Sequence, residues 1–150
     1  MTDRHFAWAM GAGDENCEGL RLPPGNLEAP DVLAWLQRTS SDIAGVTGTA
    51  CWLIVDNDEA VGLISFKTRP VNGLVEIGYG VSESHREKGH ATRAVALIAA
   101  EAALLGLRLT AETFTANIAS SAVLLKNGFE TVGSRIDEDE GPMSLWRQSP

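Results

Sequence analysis

Between Val75 and Leu105 the hydrophobic period changes once, from two to about four, across a short polar loop with a single glycine, and few folds accommodate that order of events. Val75, Ile77, Tyr79 and Val81 alternate with Glu76, Gly78 and Gly80. This is the pattern of a strand with one bulky face and one face bare of side chains except for a carboxylate. Ser82 to His85 reads as a polar turn, and Arg86-Glu87-Lys88-Gly89-His90-Ala91 follows it. Ala94, Val95, Leu97, Ile98, Ala99, Ala102 and Leu105 then mark a long, largely buried helix. A glycine-bearing loop therefore feeds a helix N-terminus directly from a strand.

The first-turn NH groups of a helix have no internal partners, and the helix dipole places partial positive charge beside them, so phosphate is their natural ligand. Gly89 can take a positive φ and turn its NH inward, while Arg86 and Lys88 add charge to the same place. The segment reads as a pyrophosphate cradle, with an ordinary charged helix start as the alternative. It is neither a P-loop, having no Gly-Lys-Ser/Thr, nor a dinucleotide fingerprint, having no GxGxxG.

The loop is similar to the acetyl-CoA loop of the GNAT superfamily of N-acetyltransferases, Arg/Gln-x-x-Gly-x-Gly/Ala, which Arg86, Gly89 and Ala91 match. A second strand, Leu107 to Phe114, precedes the segment from Asn117 to Phe129. With Asn117, Ser120, Val123, Lys126, Gly128 and Phe129, that segment resembles the Asn-x-x-Ser-x-x-Val-x-x-Lys-x-Gly-Phe signature of the branch that includes ribosomal-protein-alanine acetyltransferases. Glu-Ile-Gly-Tyr at 76 to 79 resembles the same branch. The resemblance covers Gly48 to Gly133. It implies an α/β (α+β) fold: a mixed, mostly antiparallel central sheet of six or seven strands, helices on both faces, and a splayed strand pair holding the cofactor.

The resemblance also implies roles for particular residues. Arg86, Glu87, Lys88, Gly89, His90 and Ala91 would bind the pyrophosphate of acetyl-CoA, and the backbone NH groups of Tyr79, Gly80 and Val81 would pair with the pantetheine amides and polarise the thioester oxygen. Asn117 would hydrogen-bond the pantetheine arm, or simply cap a helix. Lys126 would reach a coenzyme phosphate or stay solvated. Glu76, on the bare face, is the candidate general base, with a structural salt bridge or an exposed strand carboxylate as the equal alternative. Many family members protonate the departing thiolate with a tyrosine on the short helix, but Leu125 stands there and Tyr79 is the chain's one tyrosine. Ser120 is the substitute donor, unless it only helps to start that helix.

Acid exceeds base, with a formal charge of −8, which disfavours nucleic acid and anionic membranes and favours cationic ligands, amines among them. At 150 residues and 44% hydrophobic content, one domain spanning 1–150 is expected, as a monomer or homodimer. No basic-then-apolar leader and no long apolar run are present, so a cytoplasmic location is expected. Cys17 and Cys51 show no metal or disulfide spacing; Cys51 reads as core, which favours direct transfer over an acyl-cysteine. His85 and His90 flank the loop without further ligands, so no metal is expected.

Elsewhere, Phe6, Trp8 and Met10 alternate as a first strand does, before a polar, glycine-rich loop from Gly11 to Gly19. From Leu27 a helix is expected, with Asp31 as N-cap and Leu33, Trp35 and Leu36 on one surface. In the resembled fold this helical segment belongs to the acceptor pocket. Thr49–Asp56 and Ala60–Lys67 form a hairpin about Asn57-Asp58. A short helix from about Ile118 to Asn127 stops at Gly128, and two strands, near 129–135 and 142–147, close the chain around the acidic turn 137–140. Trp35, Trp52 and Trp146 read as core or pocket walls. The function implied is acetyl-CoA-dependent N-acetylation of a primary amine, on a protein N-terminus or a small molecule, by direct attack in a ternary complex. The alternative is a non-catalytic coenzyme A-binding sensor or interaction module.

Overall fold

The tight hairpin expected about Asn57 forms: β1 (Cys51–Asp56) runs antiparallel to β2 (Glu59–Phe66), and Asn57 takes the left-handed φ of 55° that such a turn needs. In the computed structural model, which describes residues 1–12 and 16–150, these strands begin a six-stranded sheet. The other strands are β3 (Leu74–Val81), β4 (Arg108–Phe114), β5 (Phe129–Asp137) and β6 (Gly141–Gln148), in the order β1-β2-β3-β4-β6-β5. Only β3 and β4 are parallel. Their crossover carries the 3-10 turn Glu83–His85 and the helix α3 (His90–Leu104), the long connection that a parallel pair requires.

Strand alternation sorts the core into two layers. Ile64, Phe66, Val75 and Ile77 pack with Val95, Ile98 and Ala102 of α3 and with Leu124 of α4 (Ile118–Lys126). On the opposite face Cys51 and Leu63 pack with Phe6, Trp8, Leu33 and Leu36 of two further helices, α1 (Asp3–Ala9) and α2 (Pro30–Thr47). Burying each large side chain of this kind is worth roughly 1.5–3 kcal/mol, so both layers hold the sheet. The helices lie on both faces, as the resemblance implied.

Three local expectations are corrected. Phe6, Trp8 and Met10 belong to α1 and its C-terminal cap, not to a strand. Thr2 and Asp3 open the helix, His5 Nδ1 accepts from Thr2 N at 3.2 Å, and Phe6, Trp8 and Ala9 reach α2 and the sheet. Ala29, not Asp31, is the N-cap of α2, because Pro30 takes the first helical position where its missing NH costs nothing. Trp35 is 43% exposed, whereas Trp146 is buried with its Nε1 donating to Thr113 Oγ1 at 2.9 Å. Residues 13–15 of the expected Gly11–Gly19 loop lie outside the described residues.

Candidate active site

β3 and β4 pair only from Leu74/Arg108 to Ile77/Ala111; beyond that point the two strands part. The orientation of the β3 backbone across the gap follows from its other side. Ser82 N donates to Val61 O and Lys67 N donates to Glu76 O, so the even-numbered residues of β3 turn their main-chain groups toward β2. Tyr79 and Val81 therefore direct theirs into the opening. Val81 O there accepts from Arg86 Nε at 3.3 Å. The strand is held tightly from behind, for a Cβ on Gly62 would lie 2.3 Å from Gly80 O. Glycine at 62 lets β2 approach β3 that closely.

The opening widens into a groove of about 840 Å³ that runs to the N-terminus of α3. Gly89 is the N-cap with φ +80°, Glu87 has φ +63°, and no side chain among the described residues caps the helix by a hydrogen bond. Its first-turn NH groups are thus offered to the groove. On the far wall stands α4. Asn117 Oδ1 accepts from Ser120 N at 3.0 Å, which is the capping role, and leaves the amide nitrogen of Asn117 available. Tyr79 Oη donates to Ser120 O at 3.1 Å, and burial pushes the phenol up to about 12 despite that bond.

Of the expected site residues, Tyr79, Gly80, Val81, Arg86, Glu87, Gly89, His90, Ala91, Asn117, Ser120 and Lys126 all line this one groove, but the main-chain NH of Gly80, on an even-numbered residue, is turned toward β2 and not offered to a pantetheine amide as expected. Lys88 and Glu76 are not among its lining residues. Glu76 Oε1 accepts from Lys67 Nζ at 2.7 Å, an ion pair, which was one of the two alternatives to a base. Two carboxylates escaped notice in the sequence. Glu112, the first β4 residue past the paired stretch, is held by Arg135 at 2.6 Å on the same sheet face as Glu76. Glu28 comes from the loop 24–29, which closes one side of the groove, and its Oε1 lies 3.0 Å from where a Cβ of Gly80 would stand. The only sequence signal for this loop was the turn-forming Pro23-Pro24-Gly25-Asn26. The acceptor-pocket expectation had pointed to the helix that follows it.

The remaining candidates find structural places. Cys51 is buried, away from the groove, and burial pushes its thiol up to about 11, so it carries negligible thiolate near neutrality. His90 Nδ1 lies 3.1 Å from Arg93 and Nε2 lies 3.6 Å from Asp56; burial moves its titration below the ordinary 6.5, against the pull of Asp56. His85 Nε2 faces Glu59 Oε1 at 3.9 Å. Among the described residues, no three acidic, histidine or cysteine side chains gather as a metal site, and no helix is long and apolar enough to cross a membrane.

Comparison with known proteins agrees with this geometry. Residues 3–130 match the family described as "Acetyltransferase (GNAT) domain". An uncharacterized N-acetyltransferase of Bacillus subtilis, YjdG, is 37% identical over 90 residues, covering 57% of this chain and 54% of that one. The ribosomal-protein-serine acetyltransferase of Escherichia coli is 35% identical over 81 residues, covering 52% and 45%. The chain thus spans about half the length of the curated relatives it matches. Among solved structures, RimL, a ribosomal L7/L12 alpha-N-protein acetyltransferase in complex with coenzyme A, shares the fold with a TM-score of 0.68 at 22% identity, over 81% of this chain and 73% of that one.

Proposed function

The chain belongs to the GNAT acetyltransferase family, and from that premise we propose that it moves the acetyl group of acetyl-CoA to a primary amine by direct attack in a ternary complex. One observation carries the reading: an uncapped helix N-terminus opens beside two parallel strands that part after Ile77 and Ala111. The pyrophosphate takes the NH groups of α3 and the Arg86 and Lys126 side chains. The pantetheine arm lies along β3 as an added strand, bonding Tyr79 and Val81 and, on the other wall, the Asn117 amide nitrogen.

The acceptor nitrogen attacks the thioester carbon, whose oxygen is polarised by a β3 backbone NH. A carbon–nitrogen bond forms, the carbon–sulfur bond breaks, the amine gives up one proton and the departing sulfur gains one. Ser120 lines the groove with a hydroxyl bonded to no described residue, and it donates to that sulfur. Positioning does most of the work, as suits a bimolecular transfer within a preformed groove. Direct attack is also favoured by the burial of Cys51.

The test is calorimetric titration with coenzyme A, followed by free-thiol release from acetyl-CoA across a panel of amines. Binding with amine-dependent thiol release is the expected result, and failure to bind coenzyme A overturns the reading. One observation favours the second reading, a non-catalytic coenzyme A-binding module: Leu125, 60% exposed, stands where many relatives carry a tyrosine. Tight coenzyme binding with no turnover on any amine would select it.

A further inference from the structure

Three carboxylates stand on the bare face of β3 and β4, and their pairing is unequal. Glu76 is held by Lys67, and Glu112 by Arg135, which also holds Asp137. Glu28 has no cation or hydrogen-bond partner among the described residues, although its Oε1 rests over the Gly80 backbone inside the groove. The groove's own cations among the described residues are Arg86 and Lys126, and the imidazoles of His85 and His90 line it beside Arg86. Arg86 and both histidines belong to the α3 end, and Lys126 ends α4, so the loop 24–29 offers an incoming acceptor negative charge only.

We propose that Glu28 selects the acceptor: an amine with no carboxylate beside the reacting nitrogen, as in a peptide N-terminus or an alkylamine, and not a free amino acid. This inference rests on the acetyl-transfer reading above. Glu28 attracts the acceptor as an ammonium ion; once that ion has given one proton to solvent the neutral amine attacks, and Glu28 faces the positive charge that grows on nitrogen as the carbon–nitrogen bond forms. An α-carboxylate would bring a second negative charge to the same place, and the two described cations that line the groove, Arg86 and Lys126, lie at the α3 and α4 ends and not beside it. The segment that sets this preference is the loop before α2, held across the groove by buried Leu27 and the proline at helix position one.

The experiment measures kcat/KM, expressed per unprotonated amine, by thiol release for alanine against alaninamide, with a tripeptide amide and 1,4-diaminobutane to separate peptide N-termini from alkylamines. Because Glu28 is exposed to solvent, the expected preference for the amide is modest, about five-fold. E28Q should bring the two within about two-fold, and E28K should reverse their order, as fits a charge effect of this size. Equal use of both by the wild-type protein, an unchanged preference in E28Q, or no turnover on either while coenzyme A still binds would overturn the proposal. Calorimetric coenzyme binding is read separately, so its loss in the wild-type protein reports failure of the acetyl-transfer reading instead.

Discussion

Gly89 is required by backbone conformation at the start of α3. Its φ of +80° turns the chain into α3, and an added Cβ would meet the Arg93 guanidinium at 3.0 Å. We expect Gly89→Asp to weaken coenzyme A binding at least roughly 100-fold by adding negative charge where phosphate sits, while costing about 1 kcal/mol of stability in backbone strain. Calorimetry and thermal melting measure the two effects separately. Glu76→Gln is expected to lower stability by less than about 1 kcal/mol, since the Lys67 pair is partly exposed, and to leave turnover within about two-fold. A large drop in kcat with an altered pH profile would instead identify Glu76 as the base. His90 gives a pH prediction of definite sign. Its titration is lowered in the folded state, so its contribution to stability is full above 6.5 and is lost as pH falls below that value. The Tm of the wild-type protein should fall between about pH 7 and pH 5 more steeply than that of His90→Gln. Asp42, Asp58 and Asp137, each lowered by an arginine partner, lose their contributions only below the ordinary 3.8, outside that window.

Elements were legible where period and punctuation agreed. The β1–β2 hairpin, β3, α3 and α4 each show an unmixed hydrophobic period ended by Asn, Gly or a polar loop, and each formed within a few residues of its expected span. α1 failed because seven residues hold fewer than two helical turns, too short to tell a spacing of two from one of three or four. The loop 24–29 was invisible as a site component because its place in the groove depends on the packing of Leu27 and α2, a tertiary fact with no local pattern. The pairing of Glu76 with Lys67 was equally hidden, since it links adjacent antiparallel strands through register, not sequence spacing. Register also makes Gly62 a test of the splayed pair. Gly62→Ala would force Gly80 O back toward the groove, and we expect a loss of about 1–3 kcal/mol in stability. Coenzyme affinity should fall roughly ten-fold or more as β3 shifts out of position. Unchanged affinity would mean that the cofactor does not lie along β3.

For the molecule as a whole, the two core layers divide the labour. The α3 and α4 layer fixes the helix N-terminus and the Asn117 wall, while the α1 and α2 layer carries the loop 24–29 across the opposite side. A large-to-small change in the first layer, such as Leu109→Ala, should cost about 2–5 kcal/mol. A second groove of about 520 Å³ lies along the edge strand β1, between Trp52 and Leu97, and it supplies an internal control. Coenzyme A titrated into isotopically labelled protein, followed by amide chemical shifts, distinguishes the two grooves directly. Coenzyme A in the first groove should give large shifts at Tyr79, Val81, Gly89 and Ala91, which line that groove alone; shifts confined to Trp52, Leu53 and Leu97, with the first set unmoved, would contradict that placement.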